Sequence, residues 1–265
     1  SYWIKLEKAV NNSLQNSKIK IIGTNSSNRL FFTFDVIREI FKLRKLNWVP
    51  SLITTQNAWG EALLFAILSR LINCGFLPQI HTDISSKFWI KQNFIVNQYR
   101  KYTAYLTMKL SSHIRVVSDN NLKKISDKFK IDSKKFYAAP VPISLNCNKK
   151  EIINLIKQKL KKNIFNIIYI GRFSKEKNLK LWIDSAFLIL KKNPAITFTL
   201  IGYGNGKRRI EKIVESSNFK NNFKFLDKLD NQEIPFYLKR SNLFLLTSYY
   251  EGFGRVILEA MNFGL

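Results

Sequence analysis

Glu251 and Glu259 stand with seven residues between them in the stretch Ser248–Gly264 (SYYEGFGRVILEAMNFG). Two separated carboxylates around a glycine-rich turn suit the handling of a sugar and its phosphate. The run before them, Leu243–Thr247 (LFLLT), reads as a buried parallel strand. Gly252 and Gly254 let the backbone turn tightly after it. From Arg255 onward, Val256, Ile257 and Ala260 fall on the spacing of a helix packed on a sheet. Glu251 is then expected in the strand-to-helix loop and Glu259 inside the helix. Free backbone N–H groups at such a helix start can receive an anion.

A second set of residues precedes this one. Gly171–Asn178 (GRFSKEKN) follows the apolar run Ile167–Ile170. Arg172 supplies a planar fork for phosphate and Lys177 a mobile point charge, although spacing alone leaves them open to being surface cations. Gly202 and Gly204 form a G-x-G after another strand-like run. A lone G-x-G is common in turns, and it lacks the full dinucleotide pattern, so a nicotinamide cofactor is not expected. The two His and two Cys are far apart and offer no zinc or iron spacing. Glu251 and Glu259 do not read as the opposed pair of a double-displacement glycosidase.

The context EGFGRVILEAMNFG resembles the signature of retaining glycosyltransferases of family four (glycosyl transferases group 1), and GRFSKEKN resembles that family's upstream phosphate-binding segment. The resemblance implies a GT-B fold: two Rossmann-like domains with parallel sheets, the nucleotide sugar bound by the second and the acceptor by the first. It assigns Arg172 and Lys177 to the pyrophosphate, Glu259 to the ribose, and Glu251 to the donor sugar and phosphate. Gly202 and Gly204 approach the donor, and Phe253 and Gly254 contribute backbone N–H groups. Leu226–Leu229 (LDKL) resembles the base-contacting stretch, with Leu229 in it and Asp227 where the family has glycine. The segment LITTQNAWG followed by LPQIHTD resembles the first domain of bacterial polysaccharide-type members, which makes His81 the active-site histidine; Asp83 is as well explained by capping the next turn. The family retains configuration through front-face attack, without a protein nucleophile, a catalytic metal or a cofactor.

The elements that must position these residues alternate along the chain. A short strand is expected at Ile19–Ile22, helices at Phe31–Leu46 and Ala58–Ile72, and strands at Leu52–Thr55 and Leu77–His81. Tyr99–Leu110 reads as a helix and Ile114–Ser118 as a strand, with Asp119 or Asn120 capping the helix that runs to Phe129. A strand-like FYAAP leads into VPIS at the domain boundary, then a lysine-rich helix, Glu151–Lys162. Strands at 167–170, 196–201, 223–226 and 243–247 then alternate with helices at 179–190, 208–216 and 232–240, the order of a parallel sheet covered by helices. The expected domains are an acceptor-side domain, residues 1–142, and a nucleotide-sugar domain, residues 143–265. Both ends are expected to be incomplete, because the family opens with a strand and glycine-rich loop and continues past the motif helix.

The 265 residues are 46% hydrophobic and 14% aromatic, ample for packed cores, and carry a net charge of +26 at pH 7. The charge is spread over both halves, much of it lysine beside abundant Asn and Ile, as AT-rich codons produce. No nucleic-acid motif accompanies it, so specific nucleic-acid binding is not expected. Attraction to anionic lipid or nucleotide is. The apolar window Ala58–Leu77 contains Glu61, Arg70 and Asn73, which favours a buried helix over a membrane span. Cysteine usage fits a reducing, cytoplasmic compartment. The expected function is transfer of a hexosyl unit from a nucleoside-diphosphate sugar, with UDP or GDP as carrier, to a saccharide or lipid-linked acceptor in cell-envelope or exopolysaccharide synthesis, at the inner membrane face. A glycogen- or sucrose-type synthase and a degenerate, non-catalytic basic module are the alternatives.

Overall fold

The computed structural model describes residues 29–141, 149–160 and 165–265. The expected lead-in, the strand at Ile19–Ile22, Cys147, most of the VPIS stretch and the end of the lysine-rich helix lie outside them. In chain order the first elements are α1 (Arg29–Lys45), β1 (Leu52–Thr55), α2 (Glu61–Leu71), β2 (Gly75–Ile80), α3 (Lys87–Gln92), α4 (Phe94–Leu110), β3 (Ile114–Val116), α5 (Asp119–Phe129) and β4 (Phe136–Ala138). Then come α6 (Lys149–Leu160), β5 (Asn166–Ile170), α7 (Leu179–Lys192), β6 (Thr197–Ile201), α8 (Lys207–Glu215), β7 (Phe223–Leu226), α9 (Ile234–Arg240), β8 (Leu243–Phe244) and α10 (Arg255–Met261).

Packing divides the described chain into two compact units. One holds the residues up to Pro78 together with Thr103–His113, and the other holds Gln79–Tyr102 and the residues from Ile114 onward. In the first, β1 pairs in parallel with β2, Leu52 opposite Gly75. Ala62, Phe65, Ala66 and Ser69 of α2 fall at i, i+3, i+4 and i+7, and all are buried. They pack with Ile72, Phe76 and the apolar side of α1. The helix begins at Glu61 and not at Ala58, because Gly60 adopts a φ of 63° that breaks the helical path. Arg70 closes this unit by donating twice to the Leu110 carbonyl at the end of α4.

In the second unit, the last two residues of β2 pair with β3, and β3 with β4, all in parallel. The α5 cap is Ser118, whose hydroxyl accepts from the Asn121 N–H, and not the expected Asp119 or Asn120. Arg115 ties β3 to Gln79 and to the Ala139 carbonyl.

The remaining four strands form a parallel sheet in the order β7-β6-β5-β8. Successive β5 residues serve opposite faces, as the pleat demands. Ile167 and Tyr169 join one core with Trp182, Phe198 and Leu200; Ile168 joins the other with Leu238, Ala260 and Phe263. Trp182 is fully buried, edge-on to Phe198, and its Nε1 donates to the Leu245 carbonyl at 2.9 Å. That bond takes the carbonyl a sheet partner would use, and β8 pairs only over Leu243 and Phe244, shorter than the expected Leu243–Thr247. Buried Lys159 of α6 donates to the Leu238 and Phe263 carbonyls, satisfying C-terminal groups of α9 and of the turn after α10.

Trp182→Ala removes a large core ring and orphans the Leu245 carbonyl. A loss of about 3–5 kcal/mol is expected, read as a lowered midpoint in urea unfolding. Trp182→Phe, which loses the bond but keeps most of the volume, is expected to cost less than half of that.

Candidate functional site

The ends of β5, β6 and β8 build the site. After Ile170 the chain runs through Gly171–Asn178, with a 3-10 turn at Lys175–Lys177. Three interactions fix this loop. The Phe173 side chain is fully buried and its N–H donates to the Tyr203 carbonyl at 2.7 Å. The Tyr169 hydroxyl donates to the Arg172 carbonyl at 2.7 Å. Burial, reinforced by the charges of Glu251 and Glu176, drives the phenol pKa far up, so Tyr169 remains a donor at any physiological pH. Finally, Gly202 has a φ of 146°, and a Cβ there would lie 1.9 Å from the Gly171 carbonyl oxygen. The G-x-G is therefore a seat for the loop as well as part of the cavity wall.

The loop presents Arg172 and Lys177 at one end of the sheet. Lys177 Nζ lies 2.6 Å from Glu251 Oε1, with the lysine side chain only 12% exposed. Thr247 donates to the Lys177 and Asn178 carbonyls, so the same two segments are also joined through the backbone. Arg172 lies 3.1 Å from Glu176, which also accepts from Ser174 and from Gln92. Burial pushes the Glu176 carboxyl up, but these hydrogen bonds and the Arg172 charge outweigh it and hold the group below its ordinary value. Glu259 sits one helical turn from Arg255 and pairs with it at 3.2 Å.

Of the residues singled out in the sequence, Arg172, Lys177, Gly202, Leu229, Glu251, Gly254 and Glu259 line one cavity of about 370 Å³. Gly204 lines the neighbouring cavity, and Phe253 lines neither. His81 is not in the wall, but its backbone is held against the motif loop: a Cβ on Gly252 would lie 1.8 Å from the His81 carbonyl oxygen. Asn121 donates to the Gly252 carbonyl at 2.9 Å and fixes the loop from the other side. The buried Nε2 of His81 has no hydrogen-bond partner among the described residues. Burial, then the charge of Arg115, lowers its pKa, which favours a neutral ring.

Sequence reasoning missed Tyr203, Lys228, Asn231 and Arg255 in the cavity wall. Tyr203 and Lys228 were within reach of it, since they sit inside the GYG and LDKL segments already marked. Asp227, in place of the family's glycine, points outward and pairs with Lys207, leaving the cavity to its neighbours. Asp83 accepts from the Ser85 N–H, which is the capping role expected of it. Among the described residues no group of three His, Cys, Asp or Glu could hold a metal, and no helix is long and apolar enough to cross a membrane.

Residues 150–265 match the glycosyl transferases group 1 family. An uncharacterized glycosyltransferase of Methanocaldococcus jannaschii is 24% identical over 99% of this chain, which spans 65% of that protein's length. The crystal structure of Anabaena HepE in complex with UDP-glucose superposes with a TM-score of 0.69 at 20% identity, covering 97% of this chain and 68% of that one. Sucrose-phosphate synthase of Thermosynechococcus elongatus superposes with a TM-score of 0.65 at 21% identity, covering 95% and 63%.

Because folding lowers the His81 pKa, the unfolded chain takes up that proton first. The contribution is whole above the ordinary imidazole value near 6.5 and is lost as pH falls through the lowered folded value. Urea midpoints of the wild type are expected to drop more between about pH 7.5 and about pH 5 than those of His81→Gln; equal slopes would remove His81 from the linkage.

The two parallel sheets, the helices that cover them and the strand-end cavity agree with these likenesses: the chain has the GT-B fold and is related to the group 1 glycosyltransferases.

Proposed function

We propose that the chain is part of a retaining, nucleotide-sugar-dependent hexosyltransferase. It would move a hexosyl unit from a UDP- or GDP-sugar to a saccharide or lipid-linked acceptor in cell-envelope or exopolysaccharide synthesis. The carrying observation is the convergence of Arg172, Lys177, Glu251 and Glu259 on one cavity at the strand ends, where parallel sheets place their ligands. The solved HepE complex with UDP-glucose supports a nucleotide sugar as the occupant. Residues 1–142 are assigned to the acceptor side and residues 143–265 to donor binding, at the cytoplasmic face of an anionic membrane. The likeness to sucrose-phosphate synthase keeps a sucrose-type synthase as the second reading of the same donor cavity.

In this reading Arg172, braced by Glu176, offers its fork to the diphosphate, and Lys177 divides its charge between Glu251 and the phosphate oxygens. Both cations gain value as the bond from the anomeric carbon to the diphosphate breaks and negative charge builds there. Glu259 accepts from the ribose hydroxyls, and the backbone after Phe253 and Gly254 donates to the donor. Glu251, loosened from Lys177, orients the sugar. The resemblance to family four gives neutral His81 a place near the donor sugar, although its ring does not line the cavity. The acceptor hydroxyl attacks on the face the diphosphate is leaving, gives its proton to a departing phosphate oxygen, and so retains configuration. No protein nucleophile is required.

Calorimetry with UDP, GDP and ADP tests the reading. One nucleotide is expected to bind selectively and saturably, with a loss of about tenfold or more in Glu259→Ala and in Lys177→Ala. Failure to prefer any of the three, or equal displacement by inorganic polyphosphate, would overturn it in favour of nonspecific charge attraction.

A further inference from the structure

A second cavity, of about 950 Å³, adjoins the donor cavity and shares Arg172 and Tyr203 with it. Its wall is drawn from the start of α3 and α4, from the Arg172–Lys180 segment and from the beginning of α8. Arg100, Arg172, Lys175, Lys180 and Arg209 line it against a single carboxylate, Glu176. That carboxylate is already occupied by Arg172, Ser174 and Gln92. Lys180 pairs with Asp184, whereas Lys175 and Arg209 form no ion pair among the described residues. Phe88 and Tyr249 also line it, with their rings stacked on each other at 3.9 Å.

The basic lining does not stop at the rim. A third hollow, of about 570 Å³, shares Asn205, Arg209 and Ile213 with the second and adds Arg208 and Lys212. Its wall contains no carboxylate. Lys207, the remaining cation of that helix start, is withheld from it by pairing with Asp227 and Glu211. A continuous track therefore leaves the donor cavity at Arg172, passes Lys175 and Arg209, and ends at Arg208 and Lys212. Cations alone would attract any anion. Aromatic rings in the same wall favour a ligand with apolar ring faces, as pyranose rings have, and the combined volume favours a ligand of several units.

We propose that this track, walled by Phe88, Gln92 and Arg100 of the acceptor-side residues 1–142 as well as by the cations of residues 143–265, binds an extended acidic saccharide, one bearing phosphate or carboxylate groups along its chain, as the acceptor of the transfer. The acceptor assignment rests on the donor-site reading above; the binding track does not. The terminal sugar would lie beside Arg172, next to the leaving diphosphate, and the preceding units would run over Lys175 and Arg209 towards Lys212.

Calorimetry at about 0.15 M salt, where exposed charges are screened beyond about 8 Å, can use four probes of matched length: a uronic-acid oligosaccharide, a phosphodiester-linked oligosaccharide, a neutral oligosaccharide and an RNA. Both acidic saccharides are expected to bind more tightly than the neutral one, and the tighter of the two identifies the acidic group. The double variant Lys175→Ala/Arg209→Ala is expected to lose about tenfold in that affinity while leaving nucleotide binding unchanged. Lys128→Ala/Lys134→Ala removes the same charge at exposed positions outside the track and should lose less than twofold. Equal losses in the two double variants, equal binding of the neutral saccharide, or tighter binding of the RNA would overturn the proposal. Acidic-saccharide binding through Lys175 and Arg209 without any nucleotide binding would support the track and sink the donor reading. Nucleotide binding without acidic-saccharide binding would do the reverse.

Discussion

The site depends on one short ion pair, Lys177 with Glu251, between residues 74 positions apart in sequence. The pair exists because β5 and β8 are parallel neighbours, with Ile167 opposite Leu243, so the two strands release their loops at the same end of the sheet. A mostly buried ammonium beside a partly buried carboxylate gains little net stability, since desolvation offsets most of the attraction. Its value lies in geometry. It holds a cation and an anion at a short, defined separation in the wall of the cavity.

Around that pair the fold supplies rigidity from groups without a role in chemistry. Phe173 anchors the Arg172 loop from beneath, Tyr169 holds it from the side, and Gly202 lets the next turn lie directly on it. Asn121 and the His81 peptide do the same for the loop that carries Glu251. Glu176 belongs to this group too: its carboxylate is spent on bracing Arg172, Ser174 and Gln92. The ligand-facing residues therefore rest on packed backbone and not on mobile side chains alone.

The alternation of strands and helices was legible because a parallel sheet buried on both faces needs apolar runs, and β5 and β6 are such runs. The cavity residues were legible where glycine, arginine and glutamate cluster at strand ends. What escaped has no local period. Nothing near Gln92 announces Glu176, and nothing near Trp182 announces that its indole shortens β8 by taking the Leu245 carbonyl. The Ser118 cap was missed by one residue because Asp119 and Asn120 are equally good cap formers by type. Such details are decided by packing across tens of residues, which a sequence pattern does not encode.

Lys159 carries a consequence for how the motif helix is held. Its ammonium is bonded to a carbonyl 104 residues further on, at Phe263, just beyond the helix that holds Glu259. Closing a loop of that length carries an entropic cost that the packing around the contact must offset. The motif helix therefore shares its anchor with α6, so displacing either one loosens the other. The carboxylate of Glu259 is in this way tied to a helix that lines no part of its cavity.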